Sequence, residues 1–293
     1  MKTSQLGWLL ATAFVSGPAL ANDPPADKAP SLTVQNANLS KNTEGKGFGP
    51  QAPRDLASKA GLNKRVFAFA PAYQEMNLCN IHLHKNAEHK GGEFTAPADE
   101  AGGHGAGGHE AGHHEAQAGF RYAKALTKAE TRPLVDEVCK GEHGGLQAGD
   151  TVELHYVHSS AEVAPGPTLG ACLSEADSNP QLRVEAQVFV LVNDARAADF
   201  KGYVKTGEVA GYWQALHLPK NTGVPIRYAG STTGPTYNEK GSPLQVSWSV
   251  HPKVLKVNAE SVGQWCQANV FKEDHPHPSR NIVVDPRLLS RIR

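Results

Sequence analysis

The sequence predicts a β-rich α+β domain, and three observations carry that expectation. Segments 78–84, 151–158, 184–192 and 244–250 alternate Val, Leu, Ile, Phe or Trp with polar residues, the period of a strand with one face on a core. Helical signals are few and short, one over 124–139 and one running from an N-cap at Ser261 through Trp265. The 293 residues suffice for one large domain or two small ones, with enough aliphatic side chains for a sizeable core.

Taken in order, residues 1–21 read as an export signal. Lys2 supplies the positive start, Leu6 to Val15 is mostly apolar, and Ala19-Leu20-Ala21 offers small residues at the cleavage position, with Asn22 as the mature start. The apolar run is too short to span a membrane and no later segment approaches that length, so no membrane span is expected. A periplasmic or secreted location follows from the signal. Residues 22–60, rich in Pro, Asn, Ala and Lys, read as an extended arm. The folded domain is expected over 61–293, its first apolar segment being Val66-Phe67-Ala68-Phe69.

Residues 101–118 interrupt this domain with a Gly- and His-rich insertion, including His104, His109, His113 and His114. Such a composition cannot bury a core and reads as a surface loop, either a solvated insertion or a weak metal-recruiting tract. The run 182–192 alternates in its first half and is continuously apolar in its second, as for a strand entering a covered sheet. Charge is balanced, with 29 Lys and Arg against 29 Asp and Glu, which argues against a nucleic-acid partner. Cys79, Cys139, Cys172 and Cys266 contain no C-x-x-C pair, and in an oxidising compartment two disulfides are expected, with three pairings open. Cys79 also stands close enough to His82 to be considered as a metal ligand.

The segments 80–89 and 153–158 carry the chemistry. Side chains at i and i+2 of a strand leave the sheet on one face, so His82 and His84 can reach one metal ion together. His155, on a second strand, would complete three imidazole ligands, with His89 as a competitor for that third place. His158, at odd spacing from His155, faces the other way. Three protein ligands with an open position are the arrangement of a catalytic zinc site. Neutral imidazoles leave zinc its full charge, which lowers the pKa of a bound water to about 7. Each ring needs an acceptor to orient it, and Asn80 and Glu153 stand two residues before His82 and His155 on the same faces. Glu88 is cast as a further acceptor.

These motifs resemble carbonic anhydrase. His82-x-His84 followed by Glu88-His89, then Glu153-Leu154-His155-Tyr156-Val157-His158, is similar to the zinc-binding strands of the alpha class. Gly230-Ser231-Thr232-Thr233 before Val246-Ser247-Trp248 continues the likeness. The phrase from Cys79 to Gly92 resembles the delta class and its bacterial relatives more specifically. The resemblance implies zinc on His82, His84 and His155, hydration of CO2 to bicarbonate by zinc-bound hydroxide, and orienting roles for Asn80 and Glu153. It implies that Glu88 accepts a hydrogen bond from Thr233, or from Thr232 if the loop carries a gap; Gly234 departs from the family's second threonine. Val157, Val246 and Trp248 would form an apolar wall for CO2. A single domain around a large twisted, mainly antiparallel sheet is the implied architecture. The His-rich loop is a candidate carrier for the released proton. Two alternatives are set beside this reading: a cupin-type iron or manganese enzyme, in which Glu88 would itself be a ligand, and a non-enzymatic periplasmic metal-binding protein.

Overall fold

The computed structural model describes residues 55–64, 66–98, 119–141, 144–177, 179–231, 244–278, 286 and 289–292. Its centre is a five-stranded sheet in the order β1-β6-β7-β11-β10, built from β1 (Asn77–Lys85), β6 (Thr151–Ser159), β7 (Leu182–Val192), β11 (Gln245–Asn258) and β10 (Ile226–Ser231). The β1–β6, β6–β7 and β10–β11 pairs are antiparallel and β7–β11 is parallel, so the sheet is mixed and mainly antiparallel. Three short pairs lie outside it: β2 (Ala96–Pro97) with β3 (Phe120–Arg121), β4 (Val138–Gly141) with β5 (Gly144–Leu146), and β8 (Thr206–Val209) with β9 (Tyr212–Ala215).

β6 and β7 are buried along their whole length because both faces are covered. One face packs Leu83, Leu154, Tyr156, Phe189 and Leu191 against Phe200 and Trp265, and the other gathers Val157, Val184, Ala186, Val188, Val246 and Trp248. The apolar second half of 182–192 thus reflects a central strand with no solvent side.

Three sequence expectations need correction. Residues 124–139 form no helix. Thr127 and Glu130 do make a capping box, in which Thr127 N–H donates to Glu130 Oε2 (2.8 Å) and Glu130 N–H donates to Thr127 Oγ1 (3.2 Å). Pro133 follows three residues later, and a helix cannot continue through it without losing a bond and meeting a clash. The C-terminal helix α2 (Ala259–Gln267) starts at Asn258 rather than Ser261. Asn258 Oδ1 accepts from Ser261 N–H, while the Ser261 hydroxyl donates to Asn258 O and accepts from Phe200 N–H. That last bond ties α2 to the single-turn helix α1 (Phe200–Tyr203). The strand expected over 244–250 runs on to Asn258, because the ladder with β7 shifts register between Val250 and Val254 and resumes. Pro252, which has no N–H to give a ladder, sits in that interruption. Among the described residues, the first helix or strand is the 3₁₀ turn Tyr73–Glu75.

The cysteines pair as Cys79–Cys172 and Cys139–Cys266, which chooses one of the three pairings and removes Cys79 from consideration as a ligand. No helix among the described residues is long and apolar enough to cross a membrane. Residues 1–21, the arm up to 54 and the insertion 101–118 lie outside the described residues.

Candidate metal centre

β1 and β6 run side by side, and their register sets the centre. His82 stands opposite His155, His84 opposite Glu153 and Asn80 opposite Val157. Alternation places all six on one face. The ligand atoms of His82, His84 and His155 lie within 4.8 Å of one another.

The hydrogen bonds decide which nitrogen each ring presents. Asn80 Nδ2 donates to Gly166 O (3.1 Å), so the amide oxygen is the atom that faces His82. His82 Nδ1–H therefore donates to Asn80 Oδ1 (2.6 Å), leaving Nε2 with a lone pair. His155 Nε2–H donates to Glu153 Oε1 (3.0 Å), leaving Nδ1 with a lone pair. Those two bare nitrogens stand 3.1 Å apart. Facing lone pairs with no proton between them repel, and a cation removes the repulsion. Two nitrogens bound to zinc at about 2.05 Å with tetrahedral angles would be about 3.3 Å apart. His84 Nδ1 faces the carbonyl of Pro278 (3.3 Å), which leaves its Nε2 as the third donor. Burial pushes the His84 imidazole down to about 3, against the opposing pull of Glu88, so the ring is neutral. The donor set fits a metal ion held by three neutral imidazoles.

Glu153 is fully buried and accepts three hydrogen bonds: from His155 Nε2, from His89 Nδ1 (2.7 Å) and from the His89 backbone N–H (3.1 Å). Burial alone would raise its carboxyl, but the neighbouring imidazoles outweigh that and hold it well below the usual carboxylate range. His89 gives its Nδ1 proton to Glu153 and presents Nε2 to the Tyr228 hydroxyl (2.7 Å). Its two nitrogens are thus engaged away from the His82–His84 pair, although His89, Glu153 and His155 also form a close group of their own. Glu88 is buried with Oε1 3.7 Å from His84 Nδ1 and belongs to neither close group. His158 lies on the opposite face, fully buried, and neither ring nitrogen has a hydrogen-bond partner among the described residues.

Val157, Val246 and Trp248 belong to the apolar cluster on the histidine face, and the Trp248 ring stands edge-on to His155 at 5.2 Å between centroids. Thr232 and Thr233 lie outside the described residues. Sequence reasoning missed four participants. Val184 pairs with Val157 on one side and Trp248 on the other, which the alternation of 182–192 could have indicated. Tyr228 closes the far end of the His89 network. The Pro278 carbonyl has no sequence signature at all. His277, in the Pro-rich segment 275–278, bridges the outer edge of β1, donating N–H to Leu83 O and accepting from Lys85 N–H, with its ring centroid 5.7 Å from those of His82 and His84.

A mixed sheet with three close imidazoles on one face and an apolar wall beside them defines a β-sheet protein with a candidate three-histidine metal centre. The chain belongs to the delta carbonic anhydrase family, whose model matches residues 73–261. It is therefore a carbonic anhydrase, and the cupin and metal-buffering alternatives are set aside. Among solved structures, an alpha-carbonic anhydrase from Thermovibrio ammonificans in complex with the inhibitor sulfanilamide is 14% identical, with 79% of this chain and 83% of that chain covered and a TM-score of 0.27. A hyperthermostable carbonic anhydrase identified from an active hydrothermal vent chimney is 16% identical, with 79% and 83% covered and a TM-score of 0.25. A comparison with curated protein sequences gives no match.

Proposed function

We propose that this protein catalyses the reversible hydration of CO2 to bicarbonate and a proton, using zinc held by His82, His84 and His155. The observation that supports this reading is that ligand atoms of His82, His84 and His155 lie within 4.8 Å of one another, while Asn80, the Pro278 carbonyl and Glu153 each face another nitrogen of these rings. Zinc held by three neutral imidazoles lowers the pKa of a bound water to about 7 and so supplies a nucleophile at neutral pH. Asn80 and Glu153 keep His82 and His155 in the tautomers whose other nitrogen is an unprotonated donor to the metal. Glu88 is assigned the acceptor role for the hydroxyl of Thr233; Thr232 is the alternative. Val157, Val246, Trp248 and Val184 give an unhydrated CO2 an apolar surface that does not compete for hydrogen bonds.

Two disulfides fit an oxidising compartment. With residues 1–21 read as an export signal, 22–60 as an arm and 61–293 as the catalytic domain, the working location is the periplasm or the medium.

Elemental analysis and CO2 hydration followed by a pH indicator test the reading together. One tightly held zinc per chain and rapid hydration are expected. His84→Ala should lose both while its far-ultraviolet circular dichroism stays that of the parent. Full hydration by that variant would reject the assignment.

A further inference from the structure

The segment 160–173 leaves β6 and returns across the outer edge of β1, and its contacts converge on Asn80. The β1–β6 register shifts between Leu78 and Asn80, so Cys79 is the extra residue of a bulge. Bulges re-aim side chains and terminate pairing. Here Cys79 joins Asn80 on the histidine side of the sheet, in the apolar cluster with Val157, while Leu78 packs on the other side. The bulged carbonyl, Cys79 O, accepts from Gly166 N–H (3.0 Å), and Gly166 O accepts from Asn80 Nδ2 (3.1 Å). One residue therefore grips both the backbone before Asn80 and the amide of Asn80 itself. Pro165 and Pro167 flank it, so Gly166 holds the only N–H of that three-residue run, and their rings restrict the backbone on either side. Cys172, in the 3₁₀ turn Leu169–Cys172, is cross-linked to Cys79, and its carbonyl accepts from the Ser159 hydroxyl (2.7 Å).

We infer that this cross-linked loop is a positioning device for the metal centre: Gly166, held against β1 by Cys79–Cys172, sets the amide orientation of Asn80 and thereby the proton on His82. The inference rests on the metal reading proposed above. An asparagine amide presents oxygen or nitrogen to a neighbour after a half-turn about its last bond. With oxygen toward His82, Nδ1 carries the proton and Nε2 keeps the lone pair that a metal would take. With nitrogen toward His82, the proton is driven to Nε2, the metal-facing atom. The Gly166 carbonyl distinguishes the two, because it accepts only from the amide nitrogen. Asn80 cannot make that distinction alone, and Gly166 can only make it while the loop stays at the edge of β1.

The test uses the full oxidised chain and its Cys79→Ser/Cys172→Ser variant, with zinc affinity measured by chelator competition and coordination read from the visible spectrum of the cobalt-substituted protein. The folded variant should bind zinc about 10-fold or more weakly, in the range that loss of a ligand's orienting partner costs. Its cobalt spectrum should change, and kcat should fall more than KM rises. Combining the change with Asn80→Asp, which offers oxygen toward His82 in either orientation, should shrink the cross-link's effect on affinity. A purely structural disulfide would act equally in both backgrounds. Should the cysteine variant fail to fold, Gly166→Pro with both disulfides intact removes the N–H and is expected to weaken zinc binding in the same way. Parental affinity and an unaltered cobalt spectrum in a folded variant overturn the inference. Absence of zinc binding by the parent would instead overturn the proposed function.

Discussion

Replacing Glu153 with glutamine changes one atom and tests the tautomer logic of the centre. Glu153 Oε1 receives protons from His89 Nδ1 and His155 Nε2, and Oε2 receives one from the His89 backbone. Glutamine keeps one acceptor and adds a donor. If its nitrogen takes the Oε2 position, it meets a backbone N–H that cannot reverse, at a cost of about 1–3 kcal/mol for a buried donor left unmatched. If it takes the Oε1 position, both rings must shift their protons. His89 can do so, because the Tyr228 hydroxyl can accept as readily as donate. His155 can do so only by placing a proton on Nδ1, which then donates to His82 Nε2 3.1 Å away. The metal-free protein takes this second arrangement, since every group stays paired. Zinc must then restore the first, so its binding bears the same ~1–3 kcal/mol. Glu153→Gln should therefore lower zinc affinity roughly 5- to 150-fold while the metal-free protein unfolds at nearly the parental denaturant midpoint. Chelator competition and urea unfolding of the metal-free form measure the two quantities. Parental zinc affinity together with a destabilised metal-free protein would refute the reasoning.

Other changes probe separate parts of the molecule. Burial lowers the His158 imidazole to about 3 from an unfolded value near 6.5, so the unfolded chain binds more protons and stability falls as pH drops below 6.5. About 2 kcal/mol of the metal-free protein's stability should be lost from this group between pH 7.5 and 5; His158→Phe should remove that share of the pH slope in urea unfolding, and an unchanged slope would contradict the burial account. Cys139–Cys266 closes a loop with a sequence separation of 127 and ties α2 to β4, so Cys139→Ser/Cys266→Ser should cost about 2–5 kcal/mol by the same assay. Val157→Phe crowds a wall already filled by Val184 and Trp248; kcat/KM for CO2 should fall with zinc content intact, alongside an overpacking cost of about 1–3 kcal/mol. Unaltered kcat/KM in that variant would place the substrate elsewhere.

Local spacing was enough to show which side chains share a strand face. His82, His84 and Asn80, and likewise Glu153 and His155, stand at even separations within one strand, and backbone geometry alone puts them on the same side. The continuous apolar half of β7 signalled a covered strand for the same kind of reason. What lies between elements was not legible. The pairing of His82 with His155, the parallel contact of β7 with β11 and the choice of disulfide partners depend on which chain-distant surfaces bury each other best. Residue spacing does not encode that contest. Thr127 and Glu130 spell a helix start that Pro133 cancels, a case in which one local signal overrules another. The Gly166 carbonyl meets the Asn80 amide and the Pro278 carbonyl meets His84 through backbone atoms that every residue possesses, so only the folded chain could bring them into view.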